Sequence, residues 1–293
     1  MVVYARFTPN TKYTYFTLRK SAEWIFDFDI VSLFTIFAYC ECGHQTAACV
    51  HIIIYIHSGM EVVYEDNHII IVNKAAGEIV QADKTGDEPL VETLKRWIKE
   101  KYHKPGNVFC GVTHRIDRPT CGLVVFARTS KGLSRMNELF RNGKVHKTYW
   151  AIVKRRPPKN EDTLVHYLTS TERNNKTYAS LTPRPGAQKA ILSYRVIASS
   201  DNYHLLEVDL KTGRKHQIRV QLSSIGCPIK GDLKYGAQRS NPDGGICLQS
   251  HRIRFIHPVS LKEIDVTAPV PNDNLWQALA QKAAENSTAN VSE

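Results

Sequence analysis

His114-Arg115-Ile116-Asp117-Arg118-Pro119-Thr120-Cys121-Gly122, continued by Leu123-Val124-Val125-Phe126-Ala127-Arg128, sets the architecture of this chain. One carboxylate sits on a tight turn, flanked by two arginines and a histidine, and the turn feeds a short apolar run that reads as a buried strand. Pro119 presets φ and Gly122 accepts conformations that other residues avoid, so the bend is sharp and the acid stands on rigid backbone. Positive charge on both sides favours the ionised carboxylate, which suits Asp117 to act as an anion or a nucleophile. The competing reading is a surface turn in which Asp117 only forms ion pairs.

Outward from that turn, composition narrows the classes. The chain has 293 residues and is 42% hydrophobic, enough for a sizeable core. Its 39 Lys and Arg against 28 Asp and Glu give a net charge of +11, which points to a polyanionic partner, nucleic acid first. Seven cysteines, an odd number with four of them widely spaced in core-like or motif-like segments, argue for a reducing cytoplasm over a disulfide framework. The longest apolar run, Ile30 to Tyr39, falls far short of a membrane span, and no secretory signal stands out.

Residues 1–59 differ from the rest. Twelve of the 27 aromatic side chains lie there, with only four basic and four acidic residues, and no clean period runs through the segment apart from a strand-like Val50 to Ile56. Cys40, Cys42, His44, Cys49 and His51 are metal-type side chains, but their crowded spacing departs from a zinc knuckle, and no metal is expected. Because a well-patterned hairpin follows Met60 at once, Met60 is the expected start of the native protein, with 1–59 an atypical extension, 60–285 the catalytic domain and 286–293 a polar tail.

Downstream, Val62–Tyr64 and His68–Asn73 read as strands around a turn at Asp66 and Asn67. Leu90, Leu94, Trp97 and Ile98 recur at helical spacing, with Asp87 as the expected cap. Val108–Val112 reads as the strand leading to the Asp117 turn. Ser130 is the expected cap of a second helix carrying Leu133, Met136, Leu139 and Phe140, and Val145–Val153 follows as a strand bearing Lys147 and Tyr149. Alternation over Tyr203–Leu210 gives another strand, and Gly213 to Leu222 opens a helix with Ile218 and Leu222 on its core side. Strands over Gly245–Phe255 and Glu263–Thr267 and a helix over Asn272–Ala284 close the chain.

Taken in order, these motifs resemble the RluA-type pseudouridine synthases, which isomerise uridine in structured RNA. The resemblance spans about Met60 to Pro271. It rests on Asn73, Lys74 and Gly77 after the first hairpin, His114 to Gly122, Lys147 to Tyr149, and Gly213 to Val220 followed by Gly231, Asp232, Tyr235 and Gly236. Ala75 stands where the family usually has proline and Cys121 where it usually has serine. No stretch resembles the S4 RNA-binding module.

The resemblance implies that the essential aspartate is Asp117, the active-site tyrosine Tyr149, and the arginine paired with the aspartate Arg219. It further implies that Arg115 helps displace the target base and that Leu248 packs beneath it. His114, Arg118, Arg214 and Lys215 are the other expected substrate contacts, and Arg128, Lys147 and Lys230 are expected near the cleft. The implied fold is α+β, a mixed and mostly antiparallel bent sheet with flanking helices and a central cleft. No cofactor is needed for an isomerisation without redox change. The expected partner is ribosomal or transfer RNA, ribosomal ahead of transfer, and the protein is expected to be a monomer, in the cytoplasm and off the membrane. The rival reading, a non-catalytic RNA-binding or ribosome-assembly protein, keeps fold and charge but would not need Asp117, Tyr149 and Arg219 together.

Overall fold

The computed structural model describes residues 60–171 and 173–289, and within 1–59 the backbone of four strands. The chain divides into two compact units, 1–60 and 61–293. In the first, β1 (Val2–Ala5), β2 (Thr14–Thr17), β3 (Phe34–Ala38) and β4 (Val50–Ile54) form an antiparallel sheet in the order β2-β1-β3-β4. Cys40, Cys42, His44 and Cys49 lie outside the described residues.

The second unit begins with the hairpin β5 (Glu61–Glu65) and β6 (Ile69–Lys74). Asp66 makes its turn: the carboxylate Oδ1 accepts from the backbone N–H of His68 at 2.7 Å and of Ile69 at 2.9 Å. Then come α1 (Leu90–Lys101), β7 (Gly111–Val112), β8 (Cys121–Ala127), α2 (Ser130–Arg141), β9 (His146–Val153), β10 (Glu161–Thr171) and β11 (Lys176–Ser180). The remainder is β12 (Gln188–Ser199), β13 (His204–Leu210), α3 (Gln217–Ser224), a 3₁₀ turn Leu233–Tyr235, β14 (Leu248–Ile256), β15 (Glu263–Thr267) and α4 (Asn274–Ala289).

The main path of the sheet runs β11-β10-β12-β13-β9-β14-β8-β6-β5, with β15 on β14 and β7 on β8. All its pairings are antiparallel except β14 with β8. The unit is thus α+β with a mixed, mostly antiparallel sheet. Strand β14 joins two packed regions. Leu248 belongs to a core with Leu192, Leu205, Ile218 and Trp276, whereas Ile253 and Phe255 pack with Ile71, Leu123, Val125 and Met136.

Four local readings differ from the structure. Asp87 does not cap α1. The Leu90 N–H bonds Ile79 O at 2.7 Å, so a carbonyl of the preceding segment meets an orphan helix donor, and Asp87 turns instead to Arg118. The cap of α2 is Thr129, one residue before Ser130, and its Oγ1 accepts from Gly132 N at 3.0 Å. Only Gly111 and Val112 of the Val108–Val112 run pair as a strand. Helix α4 runs on to Ala289, past the Ala284 end read from its apolar pattern, and Asn286 Nδ2 donates to Ile197 O at 2.9 Å.

Candidate active site

The Asp117 loop leaves β7 and enters β8 under restraint at both ends. Thr113 Oγ1 donates to Val125 O at 2.6 Å, and the Val125 N–H donates to His114 Nε2 at 3.0 Å. Thr120 N closes the turn on Asp117 O at 3.0 Å. Beneath it, Lys74 is 1% exposed and its ammonium donates to the carbonyls of Ala75, Glu78 and Arg118 at 2.8, 2.9 and 3.1 Å, which ties the loop to the end of β6. Burial lowers the Lys74 pKa to about 8. Gly122 has φ +105°, and a Cβ there would stand 2.4 Å from Ser250 O, so the approach of β8 to β14 requires glycine.

The two departures from the family pattern fit this frame. Ala75 N donates to Glu78 Oε2 at 2.8 Å, a bond that proline has no N–H to make. Cys121 Sγ lies 3.6 Å from Leu248 O, as a weak donor in the place of a hydroxyl.

Helix α3 supplies the partner. Arg219, 102 positions along the chain from Asp117, donates from Nη1 to Asp117 Oδ2 at 2.9 Å. Its other edge is forked onto Asp232, with Nε to Oδ2 at 2.7 Å and Nη2 to Oδ1 at 2.9 Å. Burial opposes the Arg219 charge, but the bonds to Asp232 and Asp117 outweigh it and push the guanidinium pKa up. Asp232 is wholly buried, while the Asp117 side chain keeps 27% of its surface open and can meet a substrate. His216, in the left-handed conformation at φ +52°, begins α3 and brings Nε2 to 3.9 Å from Asp117 Oδ2.

Asp117 sits in a cleft of about 720 Å³ that also takes in Tyr149 and Leu248. Tyr149 is buried, and burial pushes its phenol up to about 12, so the hydroxyl keeps its proton. Arg115 and Arg214 are exposed at the cleft, and Lys147 lines it half-buried. Among the described residues none of these three cations forms an ion pair. His114 is in the wall but cannot be a cationic contact: burial holds its pKa down near 3, and Nε2 is already taken by Val125.

Four basic residues expected here do not line the cleft. Arg118 turns to Asp87 at 2.7 Å, and Arg128 donates to Asp66 O at 2.6 Å and lies over the Tyr102 ring. Lys230 is held by Asn241 Oδ1 at 2.7 Å, and Lys215 is exposed beside the cleft without lining it. Each of the first three is claimed by an acceptor that local sequence did not indicate. In the other direction, sequence reasoning assigned no role to Asp232, Lys74 or His216. The lone acid in a glycine-rich loop and the lysine ending an apolar strand were the available signals for the first two.

Residues 68–224, more than half of the 293-residue chain, match the family model described as RNA pseudouridylate synthase. The chain belongs to that family. It is an RNA pseudouridine synthase, an isomerase of the RluA type. It is 33% identical over 224 residues to ribosomal large subunit pseudouridine synthase D of Zymomonas mobilis, covering 73% of this chain and 70% of that protein. Against tRNA pseudouridine synthase C of Vibrio parahaemolyticus it is 32% identical over 241 residues, covering 75% of this chain and 93% of the other. Among solved structures, human RNA pseudouridylate synthase domain containing 4 superposes with a TM-score of 0.61 at 24% identity, over 76% of this chain and 93% of that one, and shares the fold of the synthase. No helix among the described residues is long and apolar enough to cross a membrane.

Proposed function

We propose that this synthase isomerises uridine in structured RNA, ribosomal RNA ahead of transfer RNA, with Asp117 as the reactive carboxylate. The observation that carries the assignment is the state of that side chain. One oxygen is fixed by Arg219, the side chain is open to the cleft, and the other acid in the cleft wall, Asp209, is paired with Lys211. The reaction breaks the N1–C1′ bond, turns the uracil and forms C5–C1′. A carboxylate oxygen open to the cleft serves it whether the carboxylate attacks the sugar or the base or assists elimination.

Arg219 orients Asp117 through its bond to Oδ2. Tyr149 offers a ring face to the uracil and a neutral hydroxyl that donates. Leu248 supports the base from below. Extruding a base from a folded RNA costs on the order of a few kcal/mol, and Arg115 at the rim is the group we place in the vacated stack. Arg214 and Lys147 meet phosphates. Relatives named for ribosomal and for transfer RNA stand at nearly equal identity, so substrate class is decided by mapping. Pseudouridines in total RNA are read from cells lacking the gene and complemented with parent protein or Asp117→Asn. A ribosomal RNA site that returns only with the parent is expected; return with a folded Asp117→Asn protein overturns the assignment, and a returning transfer RNA site overturns the substrate.

A further inference from the structure

The Asp117 carboxylate has a second neighbour besides Arg219, and the far side of that neighbour's ring is held by groups outside the cleft lining. His216 Nδ1 lies 2.8 Å from the Tyr235 hydroxyl, both buried. That phenol oxygen also accepts the Thr177 backbone N–H at 2.9 Å, and with one lone pair so occupied its own proton has Nδ1 as an acceptor at hydrogen-bond distance. An imidazole that accepts at Nδ1 carries its hydrogen on Nε2, and Nε2 is the atom 3.9 Å from Asp117 Oδ2.

We infer that His216 is a positioning residue for Asp117: a neutral imidazole locked as the Nε2–H tautomer by Tyr235 and β11, whose N–H closes onto the carboxylate when RNA fills the cleft. This rests on Asp117 being the reactive acid. Two further features agree. His216 adopts φ +52°, a conformation uncommon outside glycine and typical of residues that their surroundings over-determine. The charged groups around the ring are Asp117 on its loop, Arg219 on α3, and Lys234 and Lys215; burial, opposed by Asp117, lowers the ring's pKa to about 4, so it is neutral at working pH. A neutral donor guides the carboxylate without competing with Arg219 as a second full charge.

The parent protein labelled with ¹⁵N-histidine is read by long-range proton–nitrogen correlation at pH 7, with His216→Asn identifying the signal. A neutral Nε2–H ring is expected, and Tyr235→Phe should turn it into a mixture of tautomers; an Nδ1–H ring or an imidazolium in the parent overturns the inference. His216→Asn also keeps a side chain that tolerates the left-handed backbone while removing Nε2. Its single-turnover rate at saturating RNA should fall about tenfold to a hundredfold with the RNA dissociation constant unchanged. If it runs at the parent rate while Asp117→Asn is inactive, His216 has no positioning role; if Asp117→Asn is active, the reading of Asp117 itself is what fails.

Discussion

Strand β9 separates two depressions of nearly equal size, about 720 Å³ around Asp117 and about 730 Å³ around Thr148. Successive residues of a strand face opposite ways, so Lys147 and Tyr149 belong to the first and Thr148 to the second. In the second most of the charges are matched, with Glu161 outside any ion pair among the described residues. Arg195 meets Glu207 at 2.9 Å, Arg252 forks onto Asp265, and Asp162 has Lys159 at 3.2 Å. In the first, Arg115, Lys147 and Arg214 are left without carboxylate partners among the described residues, and one arginine is shared between two acids. Volume therefore does not distinguish the sides. Unmatched positive charge around a fixed carboxylate does, because it is the arrangement an RNA phosphate and a developing sugar cation can complete.

The comparison breaks most sharply at the acids. Asp117→Asn is expected to abolish turnover with RNA affinity close to the parent's, since affinity comes from spread phosphate contacts, whereas Asp162→Asn should leave turnover intact. Equal losses in single-turnover and filter-binding assays would erase the distinction between the two sides.

Arg219→Met should be inactive and also strongly destabilised, by about 3–5 kcal/mol in urea unfolding, because Asp232 would be left as a buried, unpaired charge. Arg219→Met in an Asp232→Asn background should recover much of that stability but no activity, which separates the structural job of the ion pair from its job at Asp117.

At Tyr149 the hydroxyl and the ring can be separated. Tyr149→Phe should bind RNA normally and turn over about 100-fold slower, while Tyr149→Ala should also weaken base capture. Parent-like rates for Tyr149→Phe would reduce Tyr149 to a stacking platform.

Both sides hold neutral histidines: burial lowers His114 to about 3, and His216 in the first depression and His251 in the second to about 4. With folded pKa values below the ordinary 6.5, their contribution to stability is present above about pH 6.5 and is lost as pH falls toward 4. Melting temperature should therefore drop between pH 7 and pH 4.5, and His251→Phe should flatten part of that slope without touching turnover; a slope unchanged in His251→Phe would contradict the assignment for that ring.

The smallest effect is expected on the matched side. Arg252→Ala breaks an exposed pair, so unfolding free energy should change by about 1 kcal/mol or less, with no change in rate. A large loss of activity would show that the second depression takes part in RNA binding.

What the chain's own order of residues determined is local. The Asp66 turn, the strands from Ile69 and Leu123, the stripe of α2 and the Asp117 bend each depend on neighbours within a few positions, where periodicity and turn chemistry act. Tertiary structure decided the pairings. Arg118, Arg128 and Lys230 carry the same charge as Arg115 and Lys147, yet they turn to Asp87, Asp66 and Asn241, because the nearest good acceptor in space claims each side chain whatever its composition suggests. The parallel contact of β14 with β8, the fork of Arg219 onto Asp232 and the reach of that arginine to Asp117 join segments far apart in the chain. The far side of the His216 ring meets a hydroxyl that itself takes a backbone N–H, the two coming from two other elements. Such bonds are set by which surfaces the core brings together, and no local pattern of residues encodes them.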